Sequence, residues 1–403
     1  MHPIWKIPEL VELIFHFLAV SDAAVMASVC RTFCWAAMPN VWGNIDTFYK
    51  LMQLLPEDAL STTYDDGTPP FTLKRDLRDS DWARFLTRSN YTKRLCVILS
   101  DDTSKDYLQL LPHLPSKPLL PNLESTELEI SGSTGQLSVE LAALFLPCTI
   151  SEVQIQVMKS ADLFAARVIQ LLAEDIQLPH LKSFSIQSSD SEAYHLKGSI
   201  SQLLRAHEGL QAVSIGVGSG PQILEILHST GQFLHLRHLS LHTPRIYSQF
   251  EQAPRLLFPQ LETLKMEGPP SFIHAVLDCV GAGNMRSVEL IVDEDGFDEE
   301  NEADYTAFLT SCLLSIGRFI SLKALDLQSG MPASIKLLDH VMTCEKLETL
   351  RLVGADLDPQ ETEESRHQRM IMAWPLLTTL QLVPTITDEE SSSVGSPSPF
   401  IEA

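Results

Sequence analysis

One apolar phrase, Leu-x-x-Leu-x-Leu, recurs along most of the chain. It stands unaltered as Leu236-x-x-Leu239-x-Leu241, Leu322-x-x-Leu325-x-Leu327, Leu347-x-x-Leu350-x-Leu352 and Leu377-x-x-Leu380-x-Leu382. Conservative replacements give Leu181/Phe184/Ile186, Leu210/Val213/Ile215, Leu261/Leu264/Met266 and Met285/Val288/Leu290, and weaker copies begin at Thr92, Leu123 and Ile150. The eleven starts, at 92, 123, 150, 181, 210, 236, 261, 285, 322, 347 and 377, lie 24 to 37 residues apart. Repetition at that interval marks a stacked array. The last two apolar positions of each phrase have period two, so they share one face of a short strand while the residue between them points the other way. Between the phrases lie segments with helical patterning, at 162–173, 199–207, 221–228, 271–280, 304–316 and 332–342. A lone strand and helix cannot bury their apolar faces, whereas stacked copies bury a continuous core between a parallel sheet and a helical layer. The pattern predicts an α/β solenoid over residues 92–384, with the sheet on its concave face and helices on its convex face. An ordinary layered α/β domain with a parallel sheet is the alternative.

A different period governs the first 45 residues. Pro8 suits the first position of a helix, where its missing N–H costs nothing. Ile7, Leu10, Val11, Ile14 and Leu18 then fall on one apolar stripe. Ser21, followed by Asp22, is placed to cap a second helix, and Val25, Val29 and Phe33 give that helix a matching stripe. The stretch 46–91 reads as a linker with capping helices. It holds the turn-rich Asp65-Asp66-Gly67-Thr68-Pro69-Pro70 and a short helix in which Trp82 and Phe85 are expected to anchor the opening unit to the repeats. Residues 385–403 carry acids, serines and two Ser-Pro steps, and are predicted to form a disordered tail.

The opening residues resemble an F-box. The Ile7-Pro8-Glu9-Leu10-x-x-x-Ile14 start, the Val29-Cys30-Arg31-x-Phe33 centre and Trp42 fall at that family's intervals. The repeats resemble leucine-rich repeats of the longer, irregular kind, although the Asn or Cys that usually follows the third leucine is not regular here. Together these resemblances imply an F-box/leucine-rich-repeat protein of a type frequent in fungi. Such a protein is the substrate-recognition subunit of a cullin-based ubiquitin ligase, docked on a Skp-type adaptor and without an active site of its own. Carried over by position, Ile7, Pro8, Leu10, Val11, Ile14 and Leu18 would form the docking stripe, and Val29, Cys30 and Trp42 would support it. Two other readings stay open: residues 4–42 as a simple cap on the solenoid, and the whole chain as a protein-binding scaffold uncoupled from ubiquitination.

Charge and cysteine usage narrow the partners. The 403 residues carry 29 Lys+Arg against 52 Asp+Glu, a formal charge of −23 that disfavours nucleic acid and anionic membrane. The first apolar run, residues 10–20, is broken by Glu12 and His16 and falls short of the ~20 residues a membrane helix needs. Seven scattered cysteines without Cys-x-x-Cys spacing read as buried thiols in a reducing compartment, cytoplasm or nucleus.

No catalytic, metal or cofactor constellation is complete. Gly216-Val217-Gly218-Ser219-Gly220-Pro221 lacks the order of a phosphate loop, and His207-Glu208 lacks the second His of a zinc-protease phrase. Asp293-Glu294-Asp295-Gly296 places its glycine too early for a calcium loop. The acids from 293 to 304 read as a solvated loop, with attraction of a basic segment of a partner as the alternative. What remains is the inner surface of the solenoid, where residues alternate with the buried leucines. Glu127, Glu129, Gln154, Gln156, Lys265, Glu267, Asp326 and Arg351 are the candidate substrate-binding residues there, beside Ser185, Gln187, Ser214, Ser240, His242, Glu289 and Gln381. A broad polar face of this kind suits a protein ligand carrying basic residues better than a small metabolite.

Overall fold

A computed structural model describes residue 5 and residues 7–62, 71–115, 118–132, 144–189, 195–230, 233–243, 258–281, 283–293, 302–356 and 363–384. The chain divides into two compact units, Met1–Ser189 and Asp190–Ala403.

The first unit opens with three helices, α1 (Pro8–His16), α2 (Val20–Ala27) and α3 (Arg31–Gly43). Pro8 starts α1 as its fixed φ predicts. The expected Ser21 cap does not form: α2 begins two residues earlier, with Ala19 at the cap position and no side-chain cap. Val11, Phe15, Ala23, Phe33 and Ala37 make the small core of these three helices. Phe33 meets Phe15 and Trp5 edge-on, at ring-centroid distances of 5.6 and 5.0 Å. Asn40 on α3 donates its side-chain N–H to the carbonyls of Phe15 (2.6 Å) and Leu18 (3.0 Å), fastening α3 to the end of α1.

α3 passes directly into a short strand, β1 (Asn44–Ile45), which pairs in parallel with β4 (Arg94–Leu99). The sheet therefore starts before the segment expected to be a linker. That segment folds as α4 (Phe48–Met52), an antiparallel hairpin of β2 (Leu60–Thr62) and β3 (Phe71–Leu73), and α5 (Ala83–Ser89). Phe48 is wholly buried and packs edge-on against Phe85, Tyr107 and Phe145. Trp82 is also buried, meets Phe85 edge-on and donates to the carbonyl of His113 at 3.0 Å. Arg88 lies over the Trp42 ring at 5.9 Å and against the Met38 sulfur, tying α5 to α3. Arg75 clamps the same layer with two hydrogen bonds to Asp81 (2.6 and 3.2 Å) and one to Asp58 (3.0 Å).

Beyond β4 the first unit adds β5 (Ser125–Ile130), β6 (Glu152–Val157) and β7 (Ser183–Ser188), giving the parallel order β1-β4-β5-β6-β7. After β4, Ser100 and Thr103 cap α6 (Asp101–Leu108) reciprocally. The second unit contains β8 (Ala212–Gly216), β9 (His238–His242), β10 (Thr263–Gly268), β11 (Ser287–Val292), β12 (Ala324–Ser334), β13 (Thr349–Asp356) and β14 (Thr379–Pro384), neighbours in that order. Each strand from β4 to β14 begins two residues after its Leu-x-x-Leu-x-Leu phrase starts.

Helices at Asp162–Glu174, Leu196–Ala206, Gly220–Thr230, Pro270–Cys279 and Glu302–Ile316 match the predicted segments. The helix expected over 332–342 is replaced by an extension of β12 to Ser334 and a tighter turn of helix at Ile335–Val341. Burial alternates along the strands, as on β6, where Val153, Ile155 and Val157 are 0 to 2% exposed while Glu152, Gln154 and Gln156 are half-buried. Each fully buried aliphatic side chain contributes about 1.5–3 kcal/mol, which makes the recurrent leucines the main support of the array.

A repeated main-chain motif holds the stack in register. The residue before each strand gives its carbonyl to two N–H groups of the next repeat: Lys93 accepts from Glu124 and Ser125, Glu262 from Arg286 and Ser287, and Glu348 from Thr378 and Thr379. Glycine is required at one strand end. Gly268 closes β10 with φ +148°, and a Cβ there would meet the Thr243 methyl at 2.7 Å and its carbonyl at 2.9 Å.

Candidate functional site

The helical unit presents an unusually apolar exterior. On α1 an arc of about 200° holds no polar residue, taking 100° per residue. Val11 and Phe15 face inward and are fully buried, and Leu18 is packed against the same core. Leu10, Leu13 and Phe17, spaced i, i+3 and i+7, face outward with exposures of 37, 54 and 79%, and Ile7 stands at 44%. The predicted docking stripe is thus divided. Ile7, Pro8 and Leu10 are exposed and Ile14 is half-buried, whereas Val11 and Leu18 are structural because α1 must cover Phe33 and Ala37.

Val29, expected to be a supporting residue, is 65% exposed instead, and Cys30 is the half-buried one, against the small core. Trp42 is half-buried under Arg88. Val20, Val25 and Trp35 add exposures of 54, 69 and 66%. Val20 and Trp35, with Leu13 and Phe17, were missed by the sequence stripes. For Leu13 and Phe17 the i, i+3, i+7 spacing from Leu10 was the available signal.

The open faces of the two sheets carry the predicted polar residues. In the first unit, register aligns Cys96, Glu127, Gln154 and Ser185 in one row across β4 to β7, and Ile98, Glu129, Gln156 and Gln187 in the next. Three carboxylates lie here, each against a neutral donor. Gln156 donates to Glu127 at 2.5 Å, Gln154 to Glu152 at 2.8 Å, and the Cys96 thiol approaches Glu129 at 3.7 Å. Burial, and then Glu129 and Glu127, push that thiol up to about 12. None of the three carboxylates has a basic partner among the described residues. Glu152 was missed because it precedes the alternating part of its phrase.

In the second unit the corresponding row reads Ser214, Ser240, Lys265, Glu289, Asp326, Arg351 and Gln381. Its carboxylates are paired: Lys265 with Glu289 at 2.6 Å, Arg351 with Asp326 at 2.9 Å, and His242 with Glu267 at 3.2 Å.

Elsewhere, chemistry is sparse. Among the described residues no group of three or more His, Cys, Asp or Glu could hold a metal ion, and no helix is long and apolar enough to cross a membrane. All seven cysteines are free thiols, with Cys279, Cys312 and Cys344 buried, Cys30, Cys34 and Cys96 half-buried, and Cys148 exposed, so only three match the expected buried class. The glycine-rich loop before the helix Gly220–Thr230 is filled by Gln222, whose side-chain oxygen accepts from Ser219 N–H at 3.3 Å. A depression of about 440 Å³ is lined by Pro39, Asn90, Tyr91, Lys93, Asn122 and Glu124, where Lys93 and Glu124 pair with each other at 3.0 Å. The tail 385–403 and most of the acidic loop lie outside the described residues.

These features define an α/β protein of leucine-rich strand–helix repeats fronted by three helices. No family model matches the sequence, and no curated protein matches it at a significant level. Solved structures with partial likeness include the Toll–Spatzle complex of Drosophila, at 8% identity and a TM-score of 0.32, covering 84% of this chain. This chain spans 60% of that one. An internalin of Listeria monocytogenes is 14% identical with a TM-score of 0.30, covering 75% of this chain and 84% of its own. A leucine-rich-repeat protein of Leptospira interrogans is 11% identical with a TM-score of 0.16, covering 72% and 90%. The architecture itself rests on this chain's own strands and register.

Proposed function

We propose that this protein is a substrate-recognition adaptor of a cullin-type ubiquitin ligase, working in the cytoplasm or nucleus. Its helical unit docks on a Skp-type adaptor, and the open sheet face holds a protein substrate. The carrying observation is the outer half of the apolar arc on α1: Ile7, Leu10, Leu13 and Phe17 stay exposed after Val11, Phe15 and Phe33 have completed the core of the unit. Apolar surface concentrated in one small region marks an interaction site. The resemblance of residues 7–42 to an F-box supplies the identity of the partner. The repeats fit the second task, since an open polar sheet face offers many distributed contacts.

A pull-down on an immobilised Skp-type adaptor tests this reading. Wild type is retained, and Leu10→Asp with Phe17→Asp loses retention while its thermal transition stays unchanged, because both side chains are solvent-facing. Retention of the double variant, or no retention of wild type, leaves the coarser reading, a protein-binding repeat scaffold without ubiquitination.

A further inference from the structure

We infer that the first unit's open sheet face, and not the second's, is the docking surface for a basic polypeptide segment. The inference rests on the reading of the repeats as a protein-binding surface and assigns both the place and the partner chemistry. Two sheet faces built by the same rule carry three carboxylates each, so the second acts as an internal reference for the first.

In the second unit Glu289 and Asp326 each meet a cation contributed by the neighbouring strand in register, and Glu267 lies 3.2 Å from the His242 ring. An incoming cation there must displace Lys265 or Arg351 before it gains Glu289 or Asp326. In the first unit the donors are neutral: Gln156 reaches Glu127 and Cys96 reaches Glu129 diagonally across neighbouring strands, and Gln154 reaches Glu152 along β6. These donors orient the carboxylates without neutralising them. All three are half-buried by their neighbours, so they are already partly dehydrated and held in place. Gln187, Ser183 and Ser185 continue the face on β7 with uncharged groups able to hydrogen-bond a main chain.

Spacing favours an extended segment. Adjacent strands lie about 4.8 Å apart and residues two apart on a strand about 7 Å apart. Glu152 on β6 stands level with Ser125, so Glu152, Glu127 and Glu129 form a staggered row with steps of about 7 to 8 Å, within reach of Arg or Lys side chains from alternate positions of one strand-like peptide. A guanidinium takes a carboxylate bidentately, so Arg is preferred over Lys.

The test uses the full chain and a fluorescein-labelled peptide of alternating Arg and Ser, read by fluorescence anisotropy at physiological salt. Two variants each remove three negative charges: Glu127→Gln/Glu129→Gln/Glu152→Gln in the first unit, and Glu267→Gln/Glu289→Gln/Asp326→Asn in the second. Attraction to the overall charge of −23 would weaken equally in both. A docking surface in the first unit weakens at least about tenfold in the first triple and less than about twofold in the second. Equal losses, a greater loss in the second triple, or no binding by wild type overturns the inference. A peptide of alternating Lys and Ser is expected to bind more weakly than the Arg peptide. None of these outcomes alters the adaptor pull-down, which reads the helical unit separately.

Discussion

Each unit lays three carboxylates on the open side of its sheet, and the two treat that charge in opposite ways. Glu267, Glu289 and Asp326 are answered by His242, Lys265 and Arg351, whereas Glu127, Glu129 and Glu152 are answered by two amides and a thiol. The backbone is not the cause, since both sheets are parallel and keep unshifted register through the rows that hold these carboxylates. The difference lies in which side chain the next repeat supplies at the same level. Like charges two residues apart on a strand, as at Glu127 and Glu129, repel by about 2 kcal/mol at an effective dielectric of ~20 and about 7 Å, before salt screening. A face that keeps such a cost while its counterpart relieves it is suited to receive charge from outside. The first unit can place a base where folding calls for one, since Arg75 sits between Asp58 and Asp81 at distances near 3 Å.

The largest effect is expected from supplying the missing base. Gln156→Lys, level with Glu129 and touching Glu127, should reduce binding of the Arg-Ser peptide about tenfold, or ~1.4 kcal/mol. Gln328→Lys on the second face should leave it unchanged. Equal anisotropy curves for the two variants would erase the distinction between the faces.

Removing a base from the paired face comes next. Arg351→Met leaves Asp326 beside Glu289 without its partner and should lower stability by about 1 kcal/mol in urea unfolding, against less than ~0.5 for Gln156→Met.

A smaller effect reports the field on the first face directly. Cys96, held at about 12, should alkylate with iodoacetamide far more slowly than exposed Cys148. Glu127→Gln with Glu129→Gln should speed Cys96, because removing two neighbouring anions lowers its pKa; an unchanged rate would mean that burial alone sets it.

The smallest effect concerns acid. Arg75 hydrogen bonds, helped by the Arg78 N–H, hold Asp81 down at about 2 against an ordinary 3.8. A carboxyl lowered by folding stabilises above its unfolded value and loses that contribution as pH falls through the folded one. Thermal unfolding of wild type should therefore weaken between about pH 4 and pH 2, and Asp81→Asn should flatten that slope without touching either open face.

Much of the array was legible because it depends on local periodicity. Every phrase from Thr92 to Leu377 became a strand, including the degenerate first three, since a buried β-branched or aliphatic residue at alternate positions is sufficient when neighbours stack. What escaped was non-local. β1 has two residues and no pattern, and exists because β4 offers an edge to the chain leaving α3. The run 332–334 reads as helix by composition and is drawn into β12 by pairing with β13. On α1 the apolar residues were all visible, but Val11 could not be told from Leu10 without knowing where Phe33 would stand.

The sequence by itself therefore determined the repeat, the helical opening and the polar identity of the open face, because each follows from the period of side chains along a single element. Tertiary structure decided which half of the α1 arc remains outside and which carboxylates meet a base. Those outcomes depend on contacts between residues about 25 to 30 positions apart, a separation set by how repeats stack and helices cross and absent from any local pattern.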